Sequence, residues 1–206
     1  NDSQELVFCS EAKGILALPR THREISPDYL ASTLMGIYTG KDCAFHGIES
    51  VQPGHVMLVG DDGEITTYPW WKPCYEPDPK MSFEDAKEGL RTELRNAIRR
   101  RQVADVSVHT YLSGGVDSTL ICGLMAEDNT DFTAYNIGFG KSVYDESSLA
   151  EKTANHFGVN FETIHFTNQD LANGLEDTLF HTEMAIANPN SMAKKTLSGL
   201  VRSQGH

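Results

Sequence analysis

Apolar and polar positions alternate in three short stretches of the second half of the chain, and helical patterns lie between and after them. The alternation predicts strands at 106–112, 132–137 and 160–164. Apolar positions at helical spacing predict helices at 82–101, about 120–126, 146–157, about 168–179 and about 191–203. Strands that alternate with helices are typical of a parallel sheet with helices on both faces. The pattern therefore predicts an α/β fold.

The first part of the chain has shorter predicted elements. They are a strand at 6–9, helices at 10–16 and 27–35, and two strands at 54–59 and 64–68. The turn Gly60-Asp61-Asp62-Gly63 predicts that these two strands form a hairpin. Trp70 and Trp71 follow the hairpin, and we expect them to cover the core of this part.

A proline-containing segment separates the two parts. Residues 76–81 hold two prolines among acidic and polar residues, which is typical of a linker. The predicted domains are therefore 1–75 and 82–206. The second begins with Ser82-Phe83-Glu84-Asp85, a capping box, and a second capping box is predicted at Thr167-Asn168-Gln169-Asp170.

The amino-acid composition argues against some classes of binding partner. The chain has 206 residues and 39% hydrophobic content, which suits a soluble globular protein of one or two domains. Asp and Glu outnumber Lys and Arg by 29 to 17, giving a net charge of −12. Such an acidic surface argues against nonspecific binding to nucleic acid or to an anionic membrane. The sequence contains no apolar run of membrane-spanning length and no signal-like N-terminal pattern.

The four cysteines, at positions 9, 43, 74 and 122, lack metal-binding spacing. Zinc is therefore not indicated, and a chain of this size needs no disulfide framework. We expect Cys122, in an apolar helical run, to be a small buried residue. A reducing cytoplasm is the expected location.

A glycine- and hydroxyl-rich string joins the strand at 106–112 to the next helix. Its sequence is Leu112-Ser113-Gly114-Gly115-Val116-Asp117-Ser118. Glycines let a backbone approach an anion closely, and the free amides of a first helical turn donate to its oxygens. Ser113 and Ser118 add hydroxyl donors. Asp117 would repel a bare phosphate, so its presence suggests an intervening cation, most simply Mg²⁺.

An ordinary strand-to-helix turn, with Asp117 or Ser118 as the cap, is the plainer interpretation of this string. The complete string between a strand and a helix is more specific than a single glycine pair. It matches neither the Walker loop nor the dinucleotide fingerprint. A phosphate-binding loop of another class is therefore favoured.

The string resembles the PP-loop of ATP pyrophosphatases, which cleave ATP between its α- and β-phosphates. More narrowly, the chain resembles glutamine-hydrolysing asparagine synthetase from position 6 onward. The matching segments of its first part are 8–13, 53–55 and 68–70. Those of its second part are 112–118, 137–138, 144–146, 154–158 and 164–167.

The resemblance implies an adenine nucleotide α-hydrolase-like domain with a parallel sheet, residues 82–206. It implies that residues 1–75 are the end of a class II glutamine amidotransferase domain, an α+β fold of the N-terminal-nucleophile type. The residues that it implies for ATP and pyrophosphate are Leu112, Ser113, Gly114, Gly115, Asp117, Ser118, Ile137 and Gly138. Asp117 would also be the Mg²⁺ ligand, whereas Leu112 and Ile137 would contact the adenosine part.

The implied reaction is the adenylation of aspartate by ATP, followed by attack of glutamine-derived ammonia to give asparagine, AMP and pyrophosphate. The family's terminal cysteine nucleophile and its second acidic glycine-rich motif have no counterpart in this sequence. We therefore expect an internal portion of a longer enzyme, which alone neither hydrolyses glutamine nor makes asparagine. The resemblance leaves a homodimer open. His181, Glu183, Asn188 and Asn190 precede the last helix, and an ordinary helix-end role is favoured over contact with the acceptor.

Two other functions remain open. A β-lactam synthetase-like or peptide-cyclising enzyme would use the same adenylation with an amine inside its substrate. A noncatalytic nucleotide-binding protein would keep the loop without the chemistry. Intact Ser113, Asp117 and Ser118 argue against decay of the loop.

Overall fold

The computed structural model describes residues 5–37, 43–140, 145–186 and 188–205. It divides into two compact units, Asn1–Pro77 with Leu179–Ala187, and Asp78–Thr178 with Asn188–His206. The division after Pro77 lies inside the predicted linker. The grouping of 179–187 with the first unit has no counterpart in the sequence pattern.

The first unit contains α1 (Ala12–Leu16), α2 (Pro27–Met35), β1 (His55–Val59) and β2 (Ile65–Pro69). Helix α2 has the predicted bounds. The Ser26 hydroxyl accepts a hydrogen bond from the Tyr29 amide at 3.2 Å, and Gly36 ends the helix with a φ of 67°. Strands β1 and β2 form the predicted antiparallel hairpin, in which Val59 pairs with Ile65.

Two expectations for this unit are wrong. Residues 6–9 form no strand, because no neighbouring strand of the described chain pairs with them, and Phe8 is 88% exposed. Trp70 and Trp71 do not cover a core, since they are 68% and 59% exposed. Large apolar side chains thus lie on the surface of this unit.

The second unit carries the predicted α/β alternation. Its elements are α3 (Phe83–Arg101), β3 (Thr110–Tyr111), α4 (Val116–Asp128), β4 (Thr133–Gly138), α5 (Ser147–Phe157), β5 (Asn160–His165), α6 (Asn168–Thr182) and α7 (Asn190–Ser203). The strands form a parallel sheet in the order β3-β4-β5. The predicted first strand is too long, because only Thr110 and Tyr111 pair with β4 and Val106 is 64% exposed.

Helices lie on both faces of the sheet, as predicted. Ala134 of β4 is fully buried in a cluster with α4 and α5 residues, among them Cys122 and Ala150. Its neighbour Tyr135 points to the opposite face and donates its hydroxyl to Gln204, just after α7. Cys122 is the small buried residue that the sequence predicts, and burial raises the pKa of its thiol.

Capping hydrogen bonds fix the starts of α3 and α6. The Ser82 hydroxyl accepts from the Asp85 amide at 3.1 Å, as the first capping box predicts. In the second box the Thr167 amide donates to the Asp170 carboxylate at 2.8 Å, and the Asp170 amide donates to the Thr167 hydroxyl at 3.2 Å.

Among the described residues, we find no helix both long and apolar enough to cross a membrane.

Candidate functional site

The loop begins where β3 ends, and two hydrogen bonds fix its entrance. Leu112 is 2% exposed, and its amide donates to the Tyr135 carbonyl at 2.8 Å. The buried Asn136 side chain donates to the Leu112 carbonyl at 2.7 Å. Both backbone groups of Leu112 are therefore held by β4, and the loop leaves the sheet from a fixed point.

Two serine hydroxyls hold the loop together. The Oγ atoms of Ser113 and Ser118 are 2.8 Å apart, and the Ser113 amide donates to the Ser118 hydroxyl at 3.1 Å. The Gly115 amide donates to the Ser113 hydroxyl at 3.2 Å. The first turn of α4 is thus bonded back to the loop that precedes it.

A carboxylate already lies on one loop amide. The Gly114 amide donates to Oε2 of Glu146 at 3.2 Å. A Cβ at position 114 would lie 2.8 Å from Cβ of Glu146 and 3.1 Å from Cδ2 of Leu149. Glycine therefore allows the residues at the start of α5 to approach the loop, and the approaching group is an anion.

Three amides at the start of α4 are free. The first helical backbone bond runs from the Thr119 amide to the Gly115 carbonyl at 3.2 Å. Within the described part of the chain, the amides of Val116, Asp117 and Ser118 have no acceptor. Free amides and the positive end of a helix dipole favour an anion at this position.

A cleft of about 310 Å³ adjoins the loop, at the lower end of the usual range for ligand pockets. Its lining residues come from the ends of β3 and β4, from the loop and from one face of α7. They are Tyr111, Leu112, Ser113, Ser118, Tyr135, Asn136, Ile137, Phe139, Asn190, Ala193, Lys194 and Leu197.

The predicted site residues fall into three places. Those that line the cleft are Leu112, Ser113, Ser118 and Ile137. Those in the adjoining loop and first helical turn are Gly114, Gly115 and Asp117. The remaining one, Gly138, is buried, and a Cβ there would lie 2.9 Å from Oγ of Ser147 and 3.0 Å from Nδ1 of His165. Gly138 thus allows close packing with Ser147 of α5 and His165 of β5.

Sequence reasoning missed the contributions of Asn136 and α7. Asn136 is 4% exposed, and a polar residue inside an otherwise apolar strand was the available sign of its role. Asn190, Ala193, Lys194 and Leu197 have the spacing of one helix face. The sequence shows that these residues share one helix face, but it does not show which strands this face packs against.

The residues that the sequence places before the last helix have separate roles, and Asn190 is in fact the first residue of α7. Glu183 belongs to the first unit, where its carboxylate accepts from the amides of Ala12 and Lys13, each at 2.7 Å. Burial alone would raise the pKa of Glu183, but these amides and the Lys13 ammonium outweigh it and lower the pKa. Asn190 instead lines the cleft, and its amide donates to Oδ1 of Asn188 at 3.0 Å.

Asp145 directly precedes Glu146, whose carboxylate contacts the Gly114 amide. The hydroxyl and amide of Ser147 hold the pKa of Asp145 below its usual value, and the amide bond is 2.9 Å long. Tyr144, part of the same matching segment, lies outside the described residues. In the described ranges no group of three or more His, Cys, Asp or Glu residues could hold a metal ion. Asp117 is exposed and could supply one carboxylate ligand.

A parallel sheet whose first strand leads through a glycine- and hydroxyl-rich loop into a helix with free amides is an arrangement in which α/β proteins bind phosphate groups. The family model described as asparagine synthase matches residues 89–206. The chain therefore belongs to the asparagine synthase family.

Curated relatives carry two kinds of name. Amidase chyE of Penicillium rubens is 31% identical over 78% of this chain, and amidase chry2 of Gibberella zeae is 30% identical over 98%. The glutamine-hydrolyzing asparagine synthetase 3 of Bacillus subtilis is 27% identical over 86%. The matches cover 27%, 32% and 31% of these relatives, so the chain spans about a third of their length or less.

Proposed function

We propose that the protein catalyses ATP-dependent amide formation, in which ATP adenylates a carboxylate and an amine or ammonia then displaces AMP. The observation that carries the proposal is the set of free amides at Val116, Asp117 and Ser118 beside the cleft. Three donors at a helix N-terminus suit the oxygens of a polyphosphate. Membership of the asparagine synthase family supports the same chemistry.

The proposed reaction has two steps. In the first, a carboxylate oxygen of the acceptor attacks the α-phosphorus of ATP, the bond to the bridging oxygen breaks and pyrophosphate leaves. In the second, an amine nitrogen attacks the acyl carbon, AMP leaves with the former carboxylate oxygen, and the nitrogen loses a proton. Donors fixed before the reaction would stabilise the charge that builds on the departing pyrophosphate. In this protein they are the α4 amides and the hydroxyls of Ser113 and Ser118.

A Mg²⁺ ion fits the donor set at this site only together with the nucleotide. Mg²⁺ in nucleotide sites is held by one or two carboxylates and by phosphate oxygens, and Asp117 offers one exposed carboxylate. When bound, the ion would neutralise charge on the pyrophosphate. Asp117 would hold it, and Leu112 and Ile137 would contact the adenosine part of ATP.

The proposed substrates are aspartate as the acceptor and glutamine as the source of ammonia, which would make the product asparagine. Relatives named glutamine-hydrolyzing asparagine synthetase support this choice. We further propose that residues 1–75 are part of an amidotransferase domain and that the protein acts in the cytoplasm.

A second candidate is an enzyme of the same chemistry with another acceptor and another amine. Two fungal relatives with 31% and 30% identity are named amidases, whereas the B. subtilis asparagine synthetase 3 has 27% identity. The adenylation step would be unchanged. Only the carboxylate and the nucleophile would differ.

Isotope exchange tests the adenylation directly. Radiolabelled pyrophosphate is incubated with the purified full-length protein, ATP, Mg²⁺ and either aspartate or one of a panel of other carboxylates. We expect label in ATP only when the correct acceptor is present, because the first step must run in both directions. Exchange with aspartate would favour the first candidate, and exchange with another carboxylate alone would favour the second.

A noncatalytic protein gives a different result. It would bind ATP without any acceptor-dependent exchange, and that outcome would overturn the proposal. Carboxylate labelled with oxygen-18 adds a second check, since adenylation transfers one labelled oxygen to AMP whereas simple hydrolysis of ATP transfers none.

A further inference from the structure

One face of α7 forms a wall of the cleft. Asn190, Ala193, Lys194 and Leu197 line it, at spacings of three and four residues that place them side by side. The helix is anchored beside the loop, because the Tyr111 hydroxyl at the end of β3 lies 2.8 Å from Oγ of Ser198. This face of α7 therefore borders the same cleft as Ser113 and Ser118.

Among the described residues that line the cleft, Lys194 is the only charged one. It forms no ion pair in the described part of the chain, whereas the next residue, Lys195, pairs with Asp177. In a chain of net charge −12, an ammonium that has no carboxylate partner among the described residues and lines the same cleft as two serine hydroxyls indicates an anionic ligand.

Its aliphatic stem suits this position. Lys194 is exposed, but its neighbours on the helix face, Ala193 and Leu197, are each 3% exposed. A lysine can lay its methylene groups on such an apolar wall and keep the ammonium at the open side. A strongly hydrated point charge of this kind binds phosphate oxygens without fixed geometry.

We infer that Lys194 binds the phosphate groups of the nucleotide and completes the anion site from the side opposite α4. This inference rests on the proposed function, because it assigns a residue to the same nucleotide site. The loop amides would hold the polyphosphate from one element, and the Lys194 ammonium would hold it from another. Lys194 itself lies outside the glycine-rich string.

The adjacent lysine provides a matched control. Lys194→Met keeps the stem and removes the charge, and Lys195→Met does the same on a residue that pairs with Asp177 outside the cleft. Calorimetry measures the affinity of the wild-type protein and both variants for ATP and for adenosine. We expect Lys194→Met to weaken ATP binding about tenfold, as for an accessible charge-assisted contact. Adenosine affinity should not change, and Lys195→Met should bind ATP like the wild type.

The dependence of ATP affinity on ionic strength gives a second, independent test of the Lys194 contact. The affinity for ATP should fall less steeply with ionic strength in Lys194→Met than in Lys195→Met, because one charge contact is missing. Thermal unfolding of both variants checks that they are folded.

The outcomes separate this inference from the proposed function. A wild-type protein that does not bind ATP would overturn the proposed function and the inference with it. Normal ATP binding by the wild type together with equal affinities for both variants would overturn only the role of Lys194. An unchanged ATP affinity with a raised KM for the acceptor would also overturn it, because the ammonium would then bind the acceptor carboxylate.

Discussion

Single side chains fix the geometry of the loop. The hydroxyls of Ser113 and Ser118 contact each other at 2.8 Å, and the Asn136 amide reaches the Leu112 carbonyl at 2.7 Å. Each group satisfies a backbone atom that would otherwise be left without a partner. Loss of any one of them should therefore change the loop more than its own contact suggests.

Replacement of Ser118 by alanine tests the hydroxyl pair. The Ser118 hydroxyl accepts from the Ser113 amide at 3.1 Å and lies in the cleft, so its loss should loosen the loop and remove a proposed phosphate donor. We expect about tenfold weaker ATP binding by calorimetry. Ser203→Ala is the control, because that hydroxyl bonds to the Leu200 carbonyl at the end of α7. Equal affinities for both variants would contradict the role of the pair.

Replacement of Asn136 by aspartate tests the buried amide. The change removes the donor to the Leu112 carbonyl and places a carboxylate at a position that is 4% exposed. We expect the free energy of unfolding in urea to fall by about 1–3 kcal/mol at neutral pH. Asn129→Asp keeps the acceptor for the Asp131 amide on the surface and should be nearly neutral. A stable Asn136→Asp variant would show that the loop entrance does not depend on this bond.

The bounds of a helix could be predicted from the sequence where capping residues mark its ends. Helix α2 has its predicted bounds because Ser26 and Pro27 set its start and Gly36 its end. The first strand was overestimated, since β pairing depends on a neighbour that alternation within one segment does not reveal. Lys194 and Asn136 were not proposed as site residues for the same reason, because their importance comes from elements far away in sequence.

The cap of α6 makes a pH-dependent contribution. The hydroxyl and the amide of Thr167 hold the pKa of Asp170 below its usual value. A folded pKa below the unfolded one adds stability above about pH 4, the ordinary value, and this stability is lost as the pH falls through the folded pKa. Urea unfolding from about pH 6 to pH 3 should show a smaller loss for Asp170→Asn than for Asp131→Asn, a change elsewhere on the surface. If the free energy of unfolding fell equally with pH in both variants, the cap would make no pH-dependent contribution to stability.

At the scale of the molecule, an acidic chain must bind an anion locally. The net charge of −12 opposes a polyphosphate, and in the proposed site the local attraction would come from the α4 amides and Lys194. The alternation of strand and helix patterns was enough to predict the α/β class, and the glycine-rich string was enough to predict a loop between a strand and a helix. Neither the size of the cleft nor its α7 wall could be predicted, because both arise from packing across the sheet.

Ligand linkage gives a prediction at this scale. A nucleotide that binds only the folded protein stabilises it by mass action, by about 2.7 kcal/mol at one hundred times its dissociation constant. We expect ATP to raise the thermal unfolding midpoint measured by circular dichroism and adenosine to raise it less. An equal shift with both ligands would show that the phosphates add nothing to binding.

The most direct measurement is the response of the three free amides to a phosphate ligand. Nuclear magnetic resonance of protein labelled with nitrogen-15 follows the amides of Val116, Asp117 and Ser118 during titration with ATP and, separately, with pyrophosphate. We predict that all three shift with both ligands and saturate together, while the Thr119 amide, already bonded to Gly115 at 3.2 Å, moves less. Unchanged signals from the three amides at concentrations where ATP binds would contradict a phosphate site in this loop.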